Sequence, residues 1–491
     1  MGRDVQQREF THEDRQRYRQ KVRRCLDVFA LMLDELRFDS DHPLTGLEIE
    51  LNIVDGAAAP AMKNAEILTY MASPLLQTEL GQFNLEINVP PRLIGADGLS
   101  AYENGLKTTL AQLGDRAAKA DAGIALIGIL PTLGPEHMIE DNLSANPRYR
   151  LLNSQIMAER GEYMEIDIRG AERFSADMDS IAPEAACTSI QFHLQVSPEQ
   201  FPAYWNASQA IVAAQIAVGA NSPFAFGKRL WSETRIALFT QATDVRPEEL
   251  KVQGVRPRVW FGERWITSIF DLFEENVRYF PPLLPLLDDE DPLEVLRGGG
   301  VPTLGELRLH NGTVYRWNRP VYDVMGGRPH LRVENRVLPA GPTVVDMMAN
   351  AAFYYGLVRA LAEEDRPVWT KLPFTAAEAN FYSAARRGID AVGQWPGESE
   401  LKFTDLILDR LLPLAYEGLD RFGVEPEIRD RLLGIIERRC ALRRTGATWQ
   451  TVMVAKLEKS GLTRPDALRE MLVRYRRHSV TNAPVHTWPL D

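Results

Sequence analysis

Four short segments of this sequence share one polarity pattern, and their polar members are residue types that hold cations and phosphates. In Gly46-Leu47-Glu48-Ile49-Glu50-Leu51-Asn52-Ile53 leucine and isoleucine alternate with Glu48, Glu50 and Asn52. On a strand that alternation sets two carboxylates and an amide on one face, above a wholly apolar opposite face. The segment Phe83 to Val89 repeats the design with Asn84, Glu86 and Asn88, and Glu79 stands just ahead of it in an acidic-x6-Glu spacing. Ile190 to Val196 places Gln191, His193 and Gln195 together, and Leu331 to Val337 does the same for Arg332, Glu334 and Arg336.

Any one of these strands could turn its polar face to water. Wet faces of surface strands, however, usually carry lysine, threonine and serine, and these four hold no lysine. Converging on one cavity, they supply several oxygen ligands, one imidazole and two guanidiniums. Oxygen-rich ligation with a single nitrogen suits Mg²⁺ or Mn²⁺ rather than zinc or iron. Clustered carboxylates repel one another and are costly to bury ionised without cations, so the cluster predicts bound metal, most usefully metal bridging nucleotide phosphates. Arg332 and Arg336 beside Glu334 can clamp a phosphate or a transferring phosphoryl group in fork geometry.

Other phosphate and hydrolase signatures are missing. There is no GxxxxGK[ST] loop, and Gly298-Gly299-Gly300 runs into Val301-Pro302 as a turn without the lysine. No GxGxxG follows a strand, and neither HExxH nor GxSxG occurs. A nucleotide here is expected in a sheet-lined metal cavity, not on a helix-capped loop.

The elements that must position these residues follow from periodicity. Apolar spacing predicts a helix over residues 13–37, a strand-rich stretch from about 44 to 89, and an amphipathic helix near 98–120. Ile124 to Leu130 reads as a buried strand, Thr188 to Val196 as another, and 205–243 as helical. Asn311-Gly312 between Leu307–His310 and Thr313–Trp317 predicts a hairpin. From Thr343 onward the spacing is helical, with breaks at Pro373, Gly393–Pro396 and Gly461–Pro465. Alternation of this kind argues for antiparallel strands with one face on a core. The expected fold class is α+β, one large unit: an N-terminal helix in 1–40, a core over 41–345, and a helical part over 346–491 packed on it.

With 491 residues, 45% apolar and 25% charged, the chain is long enough to bury a large core. Cys25, Cys187 and Cys440 lie far apart and form no CxxC pair, which favours a reducing cytoplasm. The polar start (Arg3, Asp4, Gln6, Arg8, Glu9) lacks a signal-peptide stretch, and the apolar run Ala210 to Ala220 is too short to cross a bilayer. A net charge of −11 gives nucleic-acid binding no support. Neither nucleic acid nor membrane is an expected partner, and a homo-oligomer stays open.

These motifs, in this order, resemble glutamate–cysteine ligase family 2 and, more distantly, the glutamine synthetase superfamily. The resemblance runs from about Leu44 to Asp346. It rests on the E-x-E strand Gly46–Leu51, the Glu79/Glu86 spacing, the histidine strand Ser189–Gln195 and the R-x-E-x-R strand Arg332–Arg336. Ala220-Asn221-Ser222-Pro223-Phe224, continuing to Arg235, is similar to the family's Ser-Pro motif and its downstream arginine, and Thr445–Gln450 to a tail element.

The resemblance implies a curved antiparallel sheet forming a funnel around metals and ATP. Glu48, Glu50, Glu79, Glu86, His193 and Glu334 would hold two or three Mg²⁺ ions. Arg336, with Arg332, would contact the ATP phosphates or an acyl phosphate. Arg235, Asn221 and Ser222 would face the glutamate or the acceptor, and Tyr149 and Arg150 the substrate; Gln191 and Gln195 share the polar face of the histidine strand. The implied substrates are glutamate, ATP and an amine such as cysteine. The stretch Lys228–Arg235 departs from the family's Thr-Gly/Ser-x-Arg pattern, which leaves the amine open. A ligase for another amine or carboxylate, a non-catalytic ATP- and metal-binding relative, and a small-molecule phosphotransferase are the alternatives.

Overall fold

The alternating segments fold as strands of one sheet. The computed structural model describes residues 10–35, 38–40 and 44–490; the polar start (1–9), residues 36–37 and 41–43, and Asp491 lie outside the described residues. The main sheet contains β1 (Thr45–Val54), β2 (Leu76–Thr78), β3 (Asn84–Arg92) and β4 (Gly123–Ala125). It also contains the His193 strand (Ser189–Val196), an edge strand (Asn318–Met325) and the Glu334 strand (Arg328–Pro339). Their order is edge strand, Glu334 strand, His193 strand, β1, β3, β2, with β4 beside the end of β1. All of these pairings are antiparallel, and the sheet curls into a half-barrel.

Burial decides what the polar faces do. On β1, Leu47, Ile49, Leu51 and Ile53 are buried as expected, yet Glu50 is only 8% exposed and Asn52 is fully covered. Every residue of the His193 strand is buried. The polar faces are therefore largely withdrawn from bulk water on the inner side of the curl, with Glu48, Asn88, Arg332 and Arg336 partly exposed.

The apolar back of the sheet packs on the helix Val344–Ala362, which is buried nearly all round, as a central helix must be. Phe192 stacks on Tyr354 at a centroid distance of 5.6 Å. Tyr355 Oη shares its proton between the carbonyls of Gly46 and His193 at 3.2 and 3.1 Å. That helix thus clamps the two strands carrying Glu48 and His193 from behind. Replacing Phe192 by alanine there costs about 3–5 kcal/mol.

Local expectations hold at α1 (His12–Glu35), while a short helix α2 (Asn64–Tyr70) interrupts the strand-rich stretch before α3 (Gly98–Lys119) forms as expected. The buried strand expected over Ile124–Leu130 is ordered as a strand only to Ala125. Beyond it side chains supplement an isolated antiparallel bridge between Ile129 and Cys187: Asn52 Nδ2 donates to the Ile127 carbonyl at 3.1 Å, and Thr188 Oγ1 also reaches it. The hairpin expected at Asn311-Gly312 is absent. Gly305–Asn311 is a helix and Gly312 caps it with φ −68°, outside the positive φ a two-residue hairpin requires. Asn311 is instead bound to Pro320 O and Asn276 Nδ2 at 2.9 and 2.8 Å. The helical stretch 205–243 is broken by a small hairpin, Phe224–Ala225 with Lys228–Arg229, turning at Gly227 with φ 76°. A second hairpin, Val392–Trp395 with Glu398–Lys402, occupies the break near Pro396.

Candidate active site in the sheet funnel

Register brings the four polar faces together. In antiparallel pairs, residues directly opposite project to the same side. Glu50 faces Glu86, Glu48 faces Asn88 and Asn52 faces Asn84 across β1 and β3. On the other flank Glu48 faces Gln191, His193 faces Glu334, and Gln195 faces Arg332.

Two groups result. In the first, one carboxylate oxygen from each of Glu50, Glu79 and Glu86 lies within 4.8 Å of the other two. Glu50 Oε2 accepts from Ser189 N at 2.7 Å and Oε1 from Gln191 Nε2 at 2.9 Å. Glu86 Oε1 accepts from Gln77 Nε2 at 2.5 Å and Asn88 Nδ2 at 2.7 Å, and Glu79 Oε2 from Leu80 N at 2.7 Å. Burial, then the Glu86 and Glu50 charges, pushes the Glu79 carboxyl well above the usual range. Burial and the Glu48 charge push Glu86 up to about 7, and burial raises Glu50 against the pull of Arg336. Mutual repulsion among three clustered acids is what a divalent cation would relieve, because its charge reverses the sign of the local field.

The second group is already balanced. His193 Nε2 lies 3.2 Å from Glu48 Oε1, and Arg332 Nε donates to His193 Nδ1 at 3.1 Å. Burial opposes ionisation of Glu48, but His193 and Arg336 outweigh it and hold its carboxyl below the usual range. Nε2 is sealed from solvent without an aligned partner. Ligation through Nε2 needs the ring proton on Nδ1, so the Arg332 bond is the one that would give way. Glu334 takes Arg319 Nη2 at 2.8 Å and Arg336 Nη1 at 2.6 Å, one on each oxygen. Despite burial, those guanidiniums hold its carboxyl well below the usual range. Arg336 also donates to Gln191 Oε1 at 2.7 Å.

The five acids and one imidazole expected to hold metal thus divide: Glu50, Glu79 and Glu86 form the compact set, and Glu48, His193 and Glu334 lie beside it, His193 and Glu334 in contact with arginine and Glu48 with His193. Gln191 bridges Glu50 and Arg336, while Gln195 Nε2 turns away to the Asp39 carbonyl. Tyr149, on α4 (Pro147–Arg160), donates to Thr78 O at 3.3 Å; burial and the Glu79 and Glu86 charges keep its hydroxyl protonated. Arg150, one residue on, is exposed.

Three expected substrate contacts are committed elsewhere. Arg235 is buried, with Nε on Glu233 at 3.2 Å, Nη2 on the Val337 carbonyl and its ring-facing side over Trp317. Ser222 Oγ donates to Glu233 at 2.7 Å. Asn221 donates to Ala340 O and Tyr475 Oη at 2.7 and 2.8 Å and accepts from Gln450 Nε2 at 2.8 Å. The Ser-Pro segment and the tail element therefore brace each other behind the Glu334 strand. Arg319 and Gln77 escaped the sequence reading, although Arg319 is the direct register partner of Glu334.

Among the described residues no helix is long and apolar enough to cross a membrane. A solved glutamate–cysteine ligase from Francisella tularensis, in complex with AMP, superposes with a TM-score of 0.56 at 14% identity, over 92% of this chain and 91% of that one. A bifunctional glutathione synthetase from Pasteurella multocida gives 0.53 at 13% identity, over 94% of this chain and 55% of the other, so this chain spans about half of that protein. At these identities the likeness is one of fold. No curated protein matches the chain. The model of glutamate–cysteine ligase family 2 matches residues 44–422. That span contains all four polar strands, and the chain belongs to glutamate–cysteine ligase family 2, a family of ATP-dependent ligases that form C–N bonds.

Proposed function

We propose that this enzyme joins the γ-carboxyl group of glutamate to a small amine, forming a γ-glutamyl amide through an acyl phosphate with ATP as phosphoryl donor. The observation that carries this reading is the clustered, largely buried triplet Glu50, Glu79 and Glu86, its oxygens within 4.8 Å, with an arginine-bearing strand separated from β1 by the His193 strand. The triplet fits Mg²⁺ or Mn²⁺, being all-oxygen and short of positive charge, with Glu48, His193 and Glu334 as further donors. When bound there, the cation neutralises phosphate oxygens and lets two anions meet.

The chain's own residues supply the rest. Arg336 stays protonated, because burial is outweighed by the Glu334, Glu50 and Glu48 charges. Among the described residues both of its hydrogen bonds use Nη1, leaving the rest of the fork for a phosphoryl group. Glu334 and Gln191 fix that fork in place, so the charge that develops on the transferring phosphoryl oxygens meets a preset donor. A glutamate carboxylate oxygen attacks the γ-phosphorus and the bond to ADP breaks. The amine nitrogen then attacks the acyl carbon, and phosphate leaves with the electron pair. No enzyme nucleophile is needed, and Cys187 is unsuited to be one: burial pushes its thiol far up.

The test is incubation with glutamate, ATP, Mg²⁺ and a panel of amines including hydroxylamine. The reading expects ADP release that depends on an amine and equals the γ-glutamyl amide formed. ADP without amide would indicate a phosphotransferase, and no ADP with any amine a non-catalytic relative.

A further inference from the structure

A cavity of about 440 Å³ lies among helices, not strands. The helix Pro426–Leu442, α3, the first turn of the central helix Val344–Ala362 and the tail that follows the helix Arg464–Val480 meet around it. It shares no residue with the funnel, and most of its lining follows residue 422, beyond the span matched by the family. Part of the wall is set by the fold's own bonds. Glu103 on α3 accepts from Arg431 Nη2 at 2.7 Å and from Asn482 Nδ2 at 3.1 Å, and Asn482 Oδ1 accepts from Val345 N at 2.8 Å. Those polar groups satisfy one another.

Two lining groups are left over. Among the described residues neither the Arg438 guanidinium nor the His486 ring makes a hydrogen bond, although His486 is only 9% exposed and its Nδ1 is sealed from solvent. The ring lies in the fields of Arg438, Arg439 and Arg444 and, among acids, of Asp346. Arg439 is matched by Asp346 at 2.7 Å, so the balance left around the cavity is positive. Arg431, Gly434, Ile435 and Arg438 follow i, i+3, i+4, i+7 spacing and share one face of their helix. Glycine in a helix interior costs stability, and packing does not call for it here: a β-carbon added at Gly434 has nothing within 4 Å. The space above it is open, with Ile435, Pro484 and Val345 as apolar walls. A few polar groups on apolar walls, in a volume far beyond that of a water molecule, suit a small organic molecule better than a bare ion.

We propose that this cavity binds a small organic anion, its carboxylate or phosphate on Arg438 and its apolar body over Gly434. The guanidinium fork matches either head group, and no acid of the wall competes for it, since Glu103 is already held by Arg431 and Asn482. The tail and the central helix form two of the walls, so an occupant holds the tail against the helix that clamps the Glu48 and His193 strands. The site is independent of the ligase reading.

The experiment is fluorine NMR relaxation on the full chain without metal, titrated with para-fluorobenzoate, para-fluorophenyl phosphate and the uncharged para-fluorobenzyl alcohol. The wild type is expected to bind at least one of the two anions with a Kd of about 1 mM, and the alcohol about tenfold more weakly or less. Binding of the carboxylate alone or of the phosphate alone supports the proposal and names the head group. Arg438→Gln and Gly434→Leu should each weaken anion binding about tenfold or more, the first by removing a charge-assisted donor and the second by filling the cavity. Thermal melts should leave Arg438→Gln unchanged and Gly434→Leu unchanged or higher, because leucine is the better helix former and enters open space. No binding of either anion to the wild type at about 10 mM, anion binding kept by either variant, or equally tight binding of the alcohol overturns the proposal. Failure of the ligase reading leaves it standing, because no funnel residue lines the cavity.

Discussion

Glu50 and Glu86 stand directly opposite one another on β1 and β3, a like-charged pair in a position where sheets ordinarily set opposite charges or apolar partners. With Glu79 they form a triplet whose carboxyls burial and mutual repulsion raise, despite the pull of Arg336 on Glu50, while the neighbouring Glu334 has two arginines. The sheet is built with an incompletely compensated negative focus.

That focus makes stability depend on pH and metal together. The folded-state values of Glu79, Glu86 and Glu50 are raised, so the folded protein holds protons more tightly than the unfolded chain. Metal-free stability is therefore full below the ordinary glutamate range and falls as pH rises through about 7, where Glu86 loses its proton. Metal competes with those protons. Thermal melts with and without Mn²⁺ should show a larger Tm gain at pH 8 than at pH 6.

Glu79→Gln removes one of the three titratable carboxyls of the triplet. At pH 8 without metal its Tm should exceed that of the wild type, while the Mn²⁺-dependent gain disappears and turnover falls by about 100-fold or more. Melting curves and ADP release measure the two effects separately.

The four polar strands were readable in the sequence because period-two alternation is strong in each, and their residue types pointed to one shared cavity. Their order and register were not, since only the folded sheet shows them. Glu79 was recoverable from its spacing to Glu86. Arg319 was missed because Pro320 beside it weakens any strand reading, which an edge strand tolerates. Arg235, Asn221 and Ser222 show a different limit: polarity near a motif says nothing about whether the partner is a ligand or the protein's own backbone. At Asn311-Gly312 the same dipeptide that turns hairpins stops a helix.

Arg319→Ala should destabilise the fold by about 3 kcal/mol, because it leaves the buried Glu334 with Arg336 alone. Glu334 has its ionisation favoured in the folded state, so its contribution is present above the ordinary carboxylate range and lost as pH falls. Denaturant unfolding at pH 7.5 and pH 4 should show the deficit of the variant shrinking at the lower pH.

Asn221→Ala distinguishes bracing from substrate contact. It breaks bonds to Ala340, Tyr475 and Gln450, all fully buried, and should cost about 2–3 kcal/mol in stability. The KM for glutamate and for the amine, measured on folded enzyme at 20 °C, should not change more than about twofold.

The most direct measurement is anomalous scattering from a crystal of the protein grown with Mn²⁺ and a non-hydrolysable ATP analogue. A manganese peak bound by Glu50, Glu79 and Glu86, with the analogue's phosphates reaching toward Arg336, is the expected result. Manganese found only away from these three carboxylates, or none at all at millimolar concentration, would contradict the account.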